Sequence, residues 1–353
     1  MLRAFRSERA YMDVMDDIVS RPTFPAMEKA KLAITDLEGL ATREEAFMSN
    51  LAEQIPGIGI GVRASSRAYT TFLNKFRADA FDQYLEVAEA QGLDIADPKL
   101  LRSIGEWVNN ATGRGGSSEF VSRHAIGLNA LLFSPRLMAS RLNLILNPKF
   151  YADLDPFARK QALRGMGQLM GAVTLTLWLG KMNGADVSLD PRSSDFGKLR
   201  FGDTRIDVMG GMQQYMVLVS RLAKGEMVSS STGELIPLES GFAKTNRDDI
   251  LLRFGEQKMA PVPSFGWGYL KGENFEGNKF ELSKELGRLF LPIGVESAYD
   301  TNSEYGAKRA AAGFGLNVVG LGVQTYPSKR PKPSAGRGRR RRGRSRGRSI
   351  YRR

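Results

Sequence analysis

The sequence predicts a mainly α-helical protein: a multi-helix globular body, one small β-hairpin at about 198–208, and a disordered basic C-terminal tail. Three observations carry this expectation. A capping residue followed by proline opens three apolar-periodic segments, at Asp97-Pro98, Ser134-Pro135 and Asp155-Pro156. Proline at a first helical position loses no intrahelical hydrogen bond. Gly202-Asp203 separates two short alternating runs, a two-residue hairpin signal. After Tyr326 the composition shifts to Arg, Gly, Ser and Pro, which cannot bury enough apolar surface to offset chain entropy. The expected organisation is a helical body over 1–324, with allowance for a looser helical arm over 1–40, and a tail over 325–353.

Taken in order, 7–20 and 27–35 read as short helices broken by Pro22 and Pro25. Thr42-Arg43-Glu44-Glu45 is a capping-box pattern opening a helix to about Gln54. The glycines of 56–61 predict a loop; without GxGxxG spacing or a preceding strand they do not suggest dinucleotide binding. Ser65 or Ser66 then caps a helix to about Gln91. Its stripe of Tyr69, Phe72, Leu73, Phe76, Tyr84 and Leu85 predicts a core face. The glycines of 112–118 read as a C-cap followed by an N-cap, and His124, the only histidine, as a packing residue.

The stretch 165–180 (GMGQLMGAVTLTLWLG) is an uncharged run of 16 residues. That is short of the roughly 20 apolar residues of a membrane span. A helix buried at the centre of a soluble bundle is the expectation, with membrane entry a minor reading confined to ejection. Its Gly167 and Gly171 form a GxxxG pattern, which in lipid brings helices close. Beyond the hairpin, 210–224, 247–259, 278–290 and 299–312 are expected as helices. A surface loop is expected at 229–240, an extended aromatic segment at 261–269, and no regular helix in glycine-rich 310–328.

Charge is segregated along the chain. The formal net charge is +13, from 51 Lys and Arg against 38 Asp and Glu. Two Lys and eleven Arg, with no acid, lie between Lys329 and Arg353. Removing those 13 leaves 38 basic against 38 acidic residues, so the body is neutral. Attraction to polyanions therefore belongs to the tail. The candidate nucleic-acid-binding residues are Lys329, Arg330, Lys332, Arg337, Arg339, Arg340, Arg341, Arg342, Arg344, Arg346, Arg348, Arg352 and Arg353. Interleaved with Gly and Ser, they resemble protamine-like and RGG/RS-type segments, which bind nucleic acid without sequence preference.

Catalytic signatures are missing from the sequence. It contains no cysteine, no second histidine, and no GxSxG, HExxH or GxxxxGK[ST] pattern. No catalytic residue, metal site or cofactor is assigned. The hairpin flank is nevertheless rich in carboxylates, at Asp186, Asp190, Asp195, Asp203 and Asp207. The turn sets Arg200 opposite Arg205, and like charges opposed on a sheet repel. Either an acid such as Asp195 neutralises them, or they receive an anion or an acidic partner. Arg200, Arg205 and Asp195 are thus a candidate anion or partner site. An enzyme or enzyme remnant around 190–207 is the alternative function. Residues 1–13 hold no apolar run of signal-peptide length.

Three stretches carry a family resemblance: 63–79 (RASSRAYTTFLNKFRAD), 132–136 (LFSPR) and 193–198 (SSDFGK). They resemble a region associated with large polyvalent proteins of tailed phages, over about 32–300. The resemblance implies a virion protein of internal or ejection type. Its partners would be nucleic acid and other virion proteins. Its location would be the virion interior, and the host cytoplasm during synthesis or after delivery. It brings no catalytic residues with it.

Overall fold

The structure, a computed structural model, describes residues 2–35, 58–115, 131–132, 134–230, 232–239, 245–274, 279–282, 285–286, 313, 315 and 321–325. Among them are eleven helices: α1 (Leu2–Arg6), α2 (Glu8–Val19), α3 (Phe24–Lys29), α4 (Ile58–Ala90), α5 (Pro98–Ala111), α6 (Pro135–Leu146), α7 (Pro148–Asp153), α8 (Pro156–Met182), α9 (Gln213–Lys224), α10 (Arg247–Glu256) and α11 (Pro261–Lys271). Six short strands accompany them: β1 (Asp186–Val187), β2 (Lys198–Phe201), β3 (Thr204–Asp207), β4 (Glu226–Val228), β5 (Leu235–Pro237) and β6 (Gly322–Thr325). The protein is mainly α, as its sequence predicts.

The larger core gathers Ile18 of α2, Met27 of α3, Phe81 of α4, Leu101 and Ile104 of α5, Leu154 between α7 and α8, and Phe157 of α8. Between α3 and α4 the chain leaves helical geometry. Lys31 turns through the left-handed region at φ 54°, and 31–35 runs without regular secondary structure beside α4 and α5. Buried backbone needs hydrogen-bond partners, and here side chains supply them. Asn109 accepts from the Ala33 N–H at 2.9 Å and donates to the Lys31 carbonyl at 3.0 Å. Arg77 donates to the Ala33 carbonyl at 2.9 Å. Asn74 accepts from the Thr35 N–H at 3.0 Å and donates to its carbonyl at 2.6 Å. Asn74, Arg77 and Thr35 are all completely buried.

Helix α8 joins this core to a second one. Asp155 caps it, accepting from the Phe157 N–H at 2.9 Å. Its first turns place Phe157, Ala158 and Ala162 in the larger core. Its last turns place Val173 and Leu177 against Ala185, Leu199, Met209 and Met212. The hairpin has the expected register, with Phe201 opposite Thr204, Arg200 opposite Arg205, Leu199 opposite Ile206 and Lys198 opposite Asp207. Gly202 makes the turn at φ 60°. β1 and β6 extend the hairpin to an antiparallel sheet in the order β1-β2-β3-β6. The sheet rests on α8 at Gly180, where any Cβ would overlap the Leu199 side chain.

Several expectations are corrected. Helix α8 is not buried at the centre of a bundle: one side packs on α5 and the sheet, and Leu163, Leu175, Trp178 and Met182 are more than half exposed. An uncharged segment shows what a helix lacks, not how many neighbours surround it. On α4, Phe72 and Phe76 are about half exposed, because Asn74 and Arg77 take the inward positions to bracket 31–35. Helix α4 starts at Ile58 and includes Gly59 and Gly61, two of the glycines expected to form a loop. The segment expected to be extended at 261–269 is helix α11, whose prolines occupy its first turn, where no N–H is needed. The 229–240 loop contains β5, which pairs with β4. Residues 322–325 form a strand because β3 offers a free edge to pair with. Ser134 does not cap α6; it sits in the left-handed region at φ 50° with no capping hydrogen bond. The short helix expected at 27–35 lies instead at Phe24–Lys29. The tail, expected from 325, begins no earlier than 326, since Thr325 belongs to β6; the helices expected at 42–54 and 299–312, His124 and residues 326–353 lie outside the described residues.

Two outcomes follow from this packing. Asn74→Leu should lower unfolding free energy by about 3 kcal/mol, since it strands the buried Thr35 N–H and carbonyl together. Denaturant titration measures it. Gly180→Ala should destabilise despite alanine's higher helix propensity, whereas Gly171→Ala, with open space at its Cβ, should raise stability by up to about 1 kcal/mol.

Candidate functional site

The charged cluster of the hairpin is built by alternation. Leu199 and Ile206 point to the α8 core, so Arg200 and Arg205 take the opposite face of β2 and β3. The loop before β2 folds Asp195 underneath them. Ser193 Oγ accepts from the Asp195 N–H at 3.2 Å, and the Lys198 N–H donates to the Asp195 carbonyl at 3.1 Å. Asp195 is 7% exposed. Arg205 Nε donates to Asp195 Oδ1 at 2.7 Å. Arg200 Nη1 lies 3.9 Å from both Asp195 Oδ2 and Asp186 Oδ2. The opposed arginines are therefore neutralised by two aspartates, one of them buried.

The other carboxylates of the flank have separate work. Asp207 accepts from the Met209 and Gly211 N–H groups at 2.8 and 3.1 Å, shaping the turn into α9. Across the ladder from it, burial holds the Lys198 amine below the ordinary lysine range, against the pull of Asp207 and Asp195. Asp190 accepts from Arg192 at 2.8 Å, and that arginine holds its carboxyl below the usual range. Arg192 also donates to Glu226 at 2.6 Å, tying the loop to β4. Asp190 and Asp207 thus have partners of their own, while Asp186 and Asp195 share Arg200. Among the described residues no three His, Asp or Glu side chains are grouped so as to hold a metal ion. The candidate residues Arg200, Arg205 and Asp195 do come together, as an ion-paired ladder on the sheet face. All thirteen candidate tail residues lie outside the described residues.

Two features have no counterpart in the sequence reading. Lys258 Nζ donates to Gln214 Oε1 and lies 5.6 and 5.2 Å from the ring centres of Tyr215 and Phe254. Burial pushes its pKa down to about 8, while the rings and the amide oxygen favour the charged form. In sequence it reads as a solvated lysine at a helix end. The second feature is a half-open apolar hollow of about 200 Å³ between α6, α8 and α9. Met166, Met170, Met209, Met212 and Met216 line much of it. The three- and four-residue spacing of these methionines was the available signal.

No family model, no curated protein and no solved structure matches this chain.

Arg205→Met should destabilise by about 3 kcal/mol, because it leaves the Asp195 charge buried without its close partner. Arg200→Met should cost less than about 1 kcal/mol, its contacts being long and more exposed. Comparison of the two unfolding curves tests this division. Lys258 has a folded pKa below its unfolded value of 10.5, so between about pH 8 and 10 the unfolded chain holds more protons. Stability should gain a rising contribution across that window, and Lys258→Met should remove it.

Proposed function

We propose that this chain is a non-enzymatic phage virion-associated protein of internal or ejection type, whose arginine-rich tail binds nucleic acid without sequence preference. The observation that carries the reading is the segregation of charge: all 13 net positive charges lie in 329–353, beside a body of 38 basic and 38 acidic residues. A neutral body has no long-range attraction for a polyanion, whereas a flexible run of arginines releases condensed counterions wherever it meets phosphates. Arginines spaced by Gly and Ser follow a backbone without base-edge geometry. The resemblance to phage polyvalent proteins at 63–79, 132–136 and 193–198 supports a virion setting. Packaged DNA and neighbouring virion proteins are then the partners. The interior of the particle, and the host cytoplasm before assembly or after delivery, is the location. The ion-paired hairpin adds nothing in favour of the enzyme reading, since Asp195 is paired with Arg205, Asp190 with Arg192, and Asp207 holds backbone N–H groups.

The test is DNA binding by the full chain and by a chain ending at Tyr326, measured across a salt series. The full chain should lose affinity with a log–log slope steeper than about −5, alike for duplexes of different sequence. The truncated chain should lose this binding while keeping its thermal transition. Tight, salt-sensitive binding by the truncated chain would place the site in the body and end this reading. Mass spectrometry of purified particles tests the virion assignment separately.

A further inference from the structure

Two donor groups in the body lack an acceptor, and each feels the other. Arg141 of α6 is partly buried and makes no hydrogen bond or ion pair among the described residues. Burial holds its guanidinium below the ordinary arginine range, against the pull of Tyr215, Tyr69 and Asp207. Tyr215 of α9 is 3% exposed. Its ring packs edge-on against Phe254, with 5.4 Å between ring centres. Its hydroxyl makes no hydrogen bond among the described residues. Burial pushes that phenol up to about 12 while Arg141 pulls it down, so at neutral pH it is an uncharged donor. Asp207 does not serve as the missing acceptor, because its two oxygens are taken by the Met209 and Gly211 N–H groups. Buried polar groups are nearly always satisfied, so a guanidinium and a hydroxyl left over together point to a ligand.

Both groups belong to the walls of the methionine-lined hollow. Arg141 stands one turn before Leu144 and Ile145 on α6, and both of these line the hollow. Its Nη2 lies 4.0 Å from a Cβ built at Gly210, which follows Met209 of the same lining. Tyr215 sits between Met212 and Met216, which line it from the side of α9. An apolar recess with a few convergent polar groups is the usual form of a small-molecule site. The chemistry of the walls narrows the ligand. A guanidinium fork and a hydroxyl match the two oxygens of a carboxylate. Asp207, close enough for Arg141 to feel its charge, penalises a second negative charge on the ligand. An apolar cavity of about 150 Å³ holds benzene, so the hollow of about 200 Å³ takes on the order of eight carbons.

We propose that Arg141 and Tyr215 bind the carboxylate of a small amphiphilic monocarboxylic acid whose apolar body fills the hollow between α6, α8 and α9. Methionine side chains suit such a wall, since they repack around apolar bodies of differing shape. The site lies in the body and is separate from the nucleic-acid binding proposed for the tail.

The test is calorimetric titration of octanoate into the nuclease-treated full chain at about 0.5 M salt, where the attraction of the tail for anions is screened. The expected result is saturable binding of one octanoate per chain, with Kd on the order of 100 μM. Arg141→Met should weaken binding at least roughly tenfold. Its thermal transition should stay in place or rise, because the variant removes a desolvated charge that has no partner. Tyr215→Phe keeps the ring against Phe254 and should weaken binding roughly threefold to tenfold. Octan-1-ol should bind the unaltered chain at least roughly tenfold more weakly than octanoate, and Arg141→Met should erase that preference. Acetate, a carboxylate without the apolar body, should also bind at least roughly tenfold more weakly. Absence of saturable binding up to about 5 mM octanoate, octanoate binding unchanged in both variants, or octan-1-ol bound as tightly as octanoate would each overturn the proposal.

Discussion

The fold depends on how the non-helical segment 31–35 is satisfied where it crosses α4 and α5. A chain that leaves helical geometry in a buried place must find partners for its peptide groups. Here Asn109, Arg77 and Asn74 take them in turn at residues 31, 33 and 35, as a neighbouring strand would. Arg114 closes the end by donating to Thr35 Oγ1 at 2.7 Å. The consequences spread along α4. Because its inward positions carry Asn74 and Arg77, Phe72 and Phe76 must point outward. Below them Phe81 and Leu85 return to the apolar core.

A second constraint is the contact of sheet and helix at Gly180. The sheet is only four strands wide, and β1 has two residues. Ribbons of that size are marginal alone. This one is held by Leu199 and Ile206 packing on α8, by the ladder of Arg200, Arg205, Asp186 and Asp195 on the opposite face, and by β6 along the edge. The ion pairs are a condition for burying Asp195 rather than a source of stability in themselves, since desolvation offsets much of a buried pair's attraction. The arginine cluster is thereby accounted for by its own fold.

What could be read from the sequence was local. The hairpin register followed from a two-residue turn and a period of two, and the structure reproduces it pair for pair. The caps at Asp97 and Asp155 needed only short-range geometry, and both accept the expected N–H. What could not be read was set by distant parts of the chain. β6 lies more than a hundred residues after β3 and pairs with it because an edge was available. Arg77 and Asn74 look like solvated helix positions until 31–35 is laid beside them. The α8 run was legible as uncharged, but whether such a helix is enclosed depends on how many layers the rest of the chain provides. The candidate Arg200–Arg205–Asp195 cluster was legible, since opposed arginines demand a nearby acid. Lys258 was not, because its ring contacts come from α9 and α10 together.

The tail and the apolar face of α8 are joined through one small module. β6 ends at Thr325, directly before the basic segment, and pairs with β3. β2 of the same sheet sits on α8 through Leu199. The tail is thus anchored to the part of the body that presents Trp178 and Gly171.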